Sequence, residues 1–182
     1  MEAMRADAQR NRAELLDAAR LVIAEQGVDA SLRDIARRAG VGIGTLYRHF
    51  PTREALLAAL VGNGVDRMCA LAADLAATRT PVDALGTWLS ELARRWGPYK
   101  GLPGSLLSAV ADKHSDMHDT CDAMVEAGRG LFETAQSSGE IRPDVTWDEV
   151  FTAISWAAAQ STPERADRIL ALVLDGLRPA PQ

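Results

Sequence analysis

Apolar side chains recur along this chain every three to four positions and nowhere alternate over the length of a strand, so the pattern predicts helices throughout. From about Ala8 to Gln26, residues Leu15, Ala18, Ala19, Val22 and Ile23 share one face, and Gly27 stands where a left-handed residue closes a helix. Ser31 followed by Asp34 reads as the capped start of a second, short helix that runs to about Ala39. Gly40-Val41-Gly42 breaks it, and Ile43 to about Phe50, with Leu46 and Phe50 one turn apart, predicts a third. Thr52 is placed to cap a fourth, with the apolar series Leu56, Leu57, Leu60, Val65, Met68 and Leu71. Gly62-Asn63-Gly64 falls inside that series; two glycines there cost about 2 kcal/mol against alanine, which predicts a long helix with a weakened middle.

Beyond it the pattern predicts a helix over Pro81–Trp96, a Gly- and Pro-rich loop over Gly97–Pro103, a short helix at about Gly104–Ala111 and a long one from Ser115 to about Ser137. A connector follows at 139–145. Asp144 or Thr146 then caps a helix to about Gln160, and Ser161-Thr162-Pro163 opens the last one, which ends near Arg178. The expectation is an all-α protein of about nine helices, with a three-helix unit over residues 1–52 and a helical remainder over 53–182.

Composition changes little in this picture. With 182 residues, 47% hydrophobic and 25% charged, the chain can build a core as one domain or two small ones. The longest strictly apolar stretch, Ala55–Val61, is far short of the ~20 residues that cross a bilayer, and the first ten residues lack the apolar run of a secretory signal. A cytoplasmic protein without a membrane partner is therefore expected, and Cys69 and Cys121 read as reduced thiols. No glycine-rich piece carries Gly-Lys-Ser/Thr or follows a strand, so phosphate-loop and dinucleotide readings fail and no cofactor is expected.

Charge adds an asymmetry. Residues 1–50 hold eight arginines against seven acids, a net +1, while the remainder carries −6 of the overall −5. That is no basic patch, so the local sequence must carry any claim about a polyanion. Lys100 and Lys113 are the only lysines; cationic contacts elsewhere fall to arginine, whose planar fork suits phosphates and guanine edges.

Two short helices joined by a tight glycine-containing turn make a helix-turn-helix, in which the second can enter a major groove while the first braces it. Here Ile43–Phe50 would present Thr45, Tyr47, Arg48 and His49 together. Taken alone, Tyr47 as a surface aromatic and His49 as a solvated imidazole is the more economical reading. The string from Ser31 to Leu57 alters that: Ala39-Gly40-Val41, Gly44-Thr45-Leu46-Tyr47 and His49-Phe50, with Arg53-Glu54 and Leu56 behind, closely resembles the DNA-binding domain of the TetR family of bacterial one-component regulators. The resemblance covers about residues 10–60; beyond that it is one of architecture.

The resemblance implies that Thr45, Tyr47 and His49 meet the DNA backbone, with Arg48 adding charge and Ser31 and Gly44 on the same surface. It implies that Arg53, where the family usually has lysine, makes a phosphate contact, and that Arg33 reads guanine, an interaction worth about 1–3 kcal/mol of discrimination. Gly42 departs from the Ser or Thr often found at the recognition-helix cap, and Ile43 is apolar where other members carry polar readers. Ile43 can meet a thymine methyl but reads no hydrogen-bond pattern, which points to DNA shape or to Arg5, Arg10 and Arg12 of an N-terminal arm. The arm reads equally as a disordered start to the first helix.

For the remainder, the resemblance implies a helical chamber for a small apolar or amphipathic effector, its wall drawn from Met68, Trp88, Trp96, Leu106, Val110, Met117, Cys121, Met124 and Val125. Core packing alone accounts for most such side chains. The last two helices would pair with their twofold copies, Ala153, Ala157, Ala158 and Ala159 allowing close approach and Ile169, Leu170, Val173 and Leu174 supplying apolar area. His114, His118 and Cys121 have the spacing of one helix face and chemistry that zinc accepts, but Ser115 as a cap would leave His114 outside the helix, so no metal is expected. The expectation is a homodimeric, non-enzymatic, ligand-responsive regulator, most often a repressor, on a near-palindromic double-stranded operator. The competing reading is a helical-bundle carrier or enzyme with an incidental helix-turn-helix; against it, no Ser/His/Asp set or Glu-x-x-His pair has credible spacing.

Overall fold

A computed structural model describes residues 2–97, 99, 101, 102, 104, 105, 108, 112, 114, 115, 117–160 and 163–179, and the side chains of these except 2–6, 159, 160, 163 and 166. Eight helices have both ends among the described residues: α1 Glu2–Gln26, α2 Leu32–Arg38, α3 Ile43–His49, α4 Arg53–Thr78, α5 Pro81–Trp96, α6 His118–Ser137, α7 Trp147–Gln160 and α8 Pro163–Gly176. No described residue lies in a strand. The ninth expected helix falls largely outside the described residues, although Leu102, Gly104, Ser105 and Ser108 are helical.

Two helix starts differ from those read off the pattern, those of α1 and α6, and the structure settles two further points, the middle of α4 and the cap of α7. α1 begins at Glu2, so the arm is helical, because Ala, Glu, Arg and Gln run back from Leu15 without a glycine or proline to stop propagation. α4 is continuous through Gly62-Asn63-Gly64, held by buried Leu60, Val61, Val65 and Met68 on either side. Gly64 has a packing reason: a Cβ there would lie 3.1 Å from the Trp96 ring and 3.4 Å from Arg95 Cδ. α6 starts at His118, and Ser115 instead heads a turn, its carbonyl accepting the His118 N–H at 2.9 Å and its hydroxyl the Met117 N–H at 3.2 Å. Finally α7 is capped by Thr146 rather than Asp144. Thr146 N–H donates to Glu149 Oε2 at 2.8 Å and Glu149 N–H returns to Thr146 Oγ1 at 3.4 Å, while Asp144 pairs with Arg142.

The core of the C-terminal part is α4 against α5 and α6, with α5 also packed on α6 and α8. α4 and α5 run antiparallel, Gly64 beside Trp96 and the Met68 carbonyl accepting the Trp88 Nε1–H at 3.0 Å. Trp147 sits at the centre of an aromatic cluster, its ring centroid 6.1 Å from Trp88, 6.0 Å from Phe132 and 5.4 Å from Phe151. Among the described residues α4 alone is long and apolar enough to cross a membrane by length and composition, yet its apolar face, from Leu56 to Leu75, is already buried in this core.

Candidate nucleic-acid interface

Short-range bonds hold α2 and α3 as a pair. Ser31 Oγ accepts the Arg33 N–H at 3.2 Å and caps α2, while Asp34 turns to Arg37 at 2.7 Å and leaves the reciprocal half of the box unmade. After Arg38 the chain closes α2 with Val41 N–H on the Ala36 carbonyl at 3.0 Å and Gly40 N–H on that of Arg37 at 3.1 Å; Gly40 takes φ 69°, which the turn requires. Gly42 opens α3 without a side-chain cap, as the sequence suggests. Ile35 and Leu46, both 0% exposed, with Phe50 beside them in the core, anchor the pair.

On the other side of that anchor Tyr47 is 49% exposed, and Ser31, Arg33, Gly42, Gly44 and Arg48 are exposed with it. Thr45 and His49 are half-buried, the His49 ring 6.3 Å from that of Phe50. Ile43 is half-buried too and packs on the core, which leaves less of it for a thymine methyl than its position suggests.

Ion pairing sorts the arginines of this unit. Arg20 pairs with Asp17 at 2.6 Å, Arg37 with Asp34, and Arg38 reaches both oxygens of Glu25 at 2.9 Å, tying α2 to α1. Arg12 lies over the Phe50 ring at 5.4 Å, so it braces the end of α3. Arg10, Arg33 and Arg48 have no ion pair among the described residues. Arg53, expected at a phosphate, also serves the fold: its Nη1 donates to the carbonyls of Val28 at 2.6 Å and Ala30 at 2.7 Å. The α1–α2 loop carries those carbonyls outside any helix, and the first turn of α4 brings the donor they need.

The expected effector wall is mostly solid core. Met68, Trp88, Cys121 and Met124 are wholly buried and Val125 nearly so, and none of them lines the 490, 450 or 510 Å³ clefts. Gly128 is the reason the aromatic cluster closes: a Cβ there would come within 2.6 Å of Trp88 and 2.7 Å of Trp147. Trp147 Nε1 is buried without a hydrogen-bond partner among the described residues. Trp96 borders a cleft of 490 Å³ and Met117 one of 510 Å³, whereas Leu106 and Val110 lie outside the described residues. Burial pushes the Cys121 thiol up to about 11, so it is not a nucleophile near neutral pH. His114 is almost fully exposed and Cys121 fully buried, and no group of three His, Cys, Asp or Glu among the described residues is placed to hold a metal.

One cleft escaped the sequence reading. Arg67, Arg94 and Arg95 gather beside Trp96 in the 490 Å³ cavity, which also touches Arg20 of α1. The adjacent Arg94-Arg95-Trp96, one turn after Glu91, was the available signal, but which face of α4 it meets depends on the close approach at Gly64. Nearby, Gly101, at φ 84°, would place a Cβ 2.8 Å from Val28 Cγ2, so this segment abuts the α1–α2 loop.

Residues 15–60 match the family model of bacterial regulatory proteins of the tetR family, and residues 80–179 match that of the C-terminal domain of SbtR-like transcriptional regulators. The chain is 30% identical over 141 residues to the HTH-type transcriptional repressor KstR of Mycolicibacterium smegmatis, covering 76% of this chain and 69% of that one. Among solved structures, a TetR transcriptional regulator from Streptomyces coelicolor shares 40% identity with a TM-score of 0.61, over 93% of this chain and 99% of its own. The TetR regulatory protein of Mycobacterium vanbaalenii shares 32% with a TM-score of 0.53, over 96% and 99%. A capped and buttressed helix-turn-helix, followed by a helical body that matches a second model of the same family, places this chain in the TetR family of transcriptional regulators, ligand-responsive DNA-binding proteins and not a family of enzymes.

Proposed function

We propose that the chain is a cytoplasmic homodimeric repressor that holds a near-palindromic operator through two copies of α3 and is released by a small-molecule effector. The observation that best supports this is the sorting of arginines: Arg33 on α2 and Arg48 on α3 are exposed and unpaired among the described residues, Arg48 beside an exposed Tyr47, while Arg37, Arg38 and Arg53 serve the fold. In this reading residues 1–52 form the reading unit and 53–182 the effector and dimer unit. Thr45, Tyr47 and His49 take phosphate oxygens, with Ser31, Gly42 and Gly44 on the same surface, Arg48 adds charge, and Ile43 offers its exposed edge to a methyl group. Arg33 reads guanine, and Arg53 stiffens the loop behind the reading surface.

The dimer uses α7 and α8. Ala157, Ala158 and Leu170 are already buried within one chain, so they are not available to a partner as the sequence suggests; Trp156 at 64% and Leu172 at 71% exposure are. A twofold pairing there would set the recognition helices to half-sites about one helical turn, ~34 Å, apart. An effector that favours another spacing needs a coupling of about 1–3 kcal/mol to loosen DNA by several-fold to a hundredfold, and the contact of Gly101 with Val28 offers a route for it.

Selection from random duplex DNA over a salt series tests the reading. A near-palindromic site should emerge, with a log–log salt slope of roughly −0.9 per phosphate neutralised. Arg33→Ala should lose preference at one base pair per half-site, by about 1–3 kcal/mol, and Tyr47→Phe should weaken every sequence alike. Absence of any selected site would leave the helical carrier as the better reading.

A further inference from the structure

We infer that the cleft between α1, α4 and the C-terminal end of α5 binds an anionic amphiphile, a carboxylate or phosphate head group on an apolar body. Its 490 Å³ is within the range of small-molecule sites. Four arginines, Arg20, Arg67, Arg94 and Arg95, border it against a single acid, Glu91. Arg20 is satisfied by Asp17, but Arg67 has no ion pair among the described residues, and Arg94 and Arg95 share the one carboxylate at 2.9 and 2.7 Å. Burial opposes ionisation of Glu91, yet hydrogen bonds from both arginines and their charges outweigh it and hold the carboxyl below its usual range. One fixed negative charge therefore answers two positive ones, with Arg67 in addition. Arg95 Nε is moreover buried without an acceptor among the described residues, so the one carboxylate leaves donors of this cluster unanswered.

Asn63 adds a polar group to the wall, and its remaining side chains are apolar in type, mostly buried behind the arginines. Leu60 and Val61 of α4 face the cavity with Trp96, Tyr99 and Leu102, and the missing side chain at Gly64 sets how closely Trp96 approaches α4. A second cleft of 450 Å³ shares Arg67, Arg94, Arg95 and Glu91 and continues along the α4–α5 groove to Leu71 and Thr87, where Asp167 of α8 adds a second acid on that side only. This chemistry refines the effector proposed above: charge is read at the junction of the two units, by arginines of α4 and α5 beside Arg20 of α1. Only the consequence for DNA rests on the regulator reading, since a ligand that draws α1 and α5 together would bias the reading unit.

Titration calorimetry of the full chain with octanoate, octyl phosphate, 1-octanol and inorganic phosphate tests the assignment, and the two anions tell carboxylate from phosphate preference. At least one of the anions should saturate one site per chain about tenfold more tightly than 1-octanol, and Arg67→Ala and Arg94→Gln should each weaken it about fivefold or more without lowering the melting temperature. Equal affinity for 1-octanol, indifference to both substitutions, inorganic phosphate binding as tightly as octyl phosphate, or no binding by any probe would each overturn it. DNA selection is measured separately: its failure would remove the regulator reading and leave the octanoate result standing, and the reverse holds as well.

Discussion

At the scale of single residues, Gly128 and the arginines carry most of what is particular to this protein. Gly128 is a space reserved for two indoles. Alanine there should cost about 1–3 kcal/mol despite its better helix propensity, because Trp88 and Trp147 must part; urea unfolding that shows equal or greater stability would mean the cluster yields easily. The arginines look interchangeable in a composition table, yet their partners divide them into braces and free cations. Arg38 on Glu25, Arg12 on Phe50 and Arg53 on two loop carbonyls are spent on shape. Arg53 shows how a residue matched to a family position can also have a partner within the fold: the family motif identifies the residue type, and the α1–α2 loop supplies acceptors for one of its nitrogens.

At the scale of elements, caps and helix interiors followed different rules. Ser31, Thr52 and Thr146 all cap through their side chains, a purely local event that spacing can reveal. The long helix expected across Gly62-Asn63-Gly64 is present as α4, because burial on both sides of the pair outweighs its conformational cost. The two glycines are nonetheless unequal. Gly62 has open space around its Cβ position, so Gly62→Ala should stabilise α4 by about 0.5–1 kcal/mol, whereas Gly64→Ala should gain less or lose, since Trp96 must yield. Thermal or urea denaturation of the two variants checks this, and equal gains would show that Trp96 does not constrain the position.

At the scale of the whole molecule, the proposed dimer makes the clearest demand. Four large hydrophobic residues are exposed among those described, and two of them, Trp156 and Leu172, are on α7 and α8. A chain carrying both Trp156→Glu and Leu172→Glu should sediment as a monomer and bind operator at least about tenfold more weakly, as loss of twofold engagement implies. A dimer that survives both changes would place the interface elsewhere. The inferred anion site likewise belongs to this scale, since the cleft at the junction with the reading unit is assembled from α1, α4 and α5.

What this sequence determined alone is whatever depends on neighbours along the chain: helical period, caps, the turn at Gly40, the helix-turn-helix and its family. These rest on hydrogen bonds and steric limits within a few residues, so spacing encodes them directly. Only the tertiary structure decided which side chains remain available for function. Arg53 turned to a loop, Met68, Trp88 and Met124 closed into solid core, and Arg67 met Arg94 and Arg95 across the gap that Gly64 leaves. Each outcome depends on how closely two helices approach, a distance set by the summed packing of the core that no local pattern records.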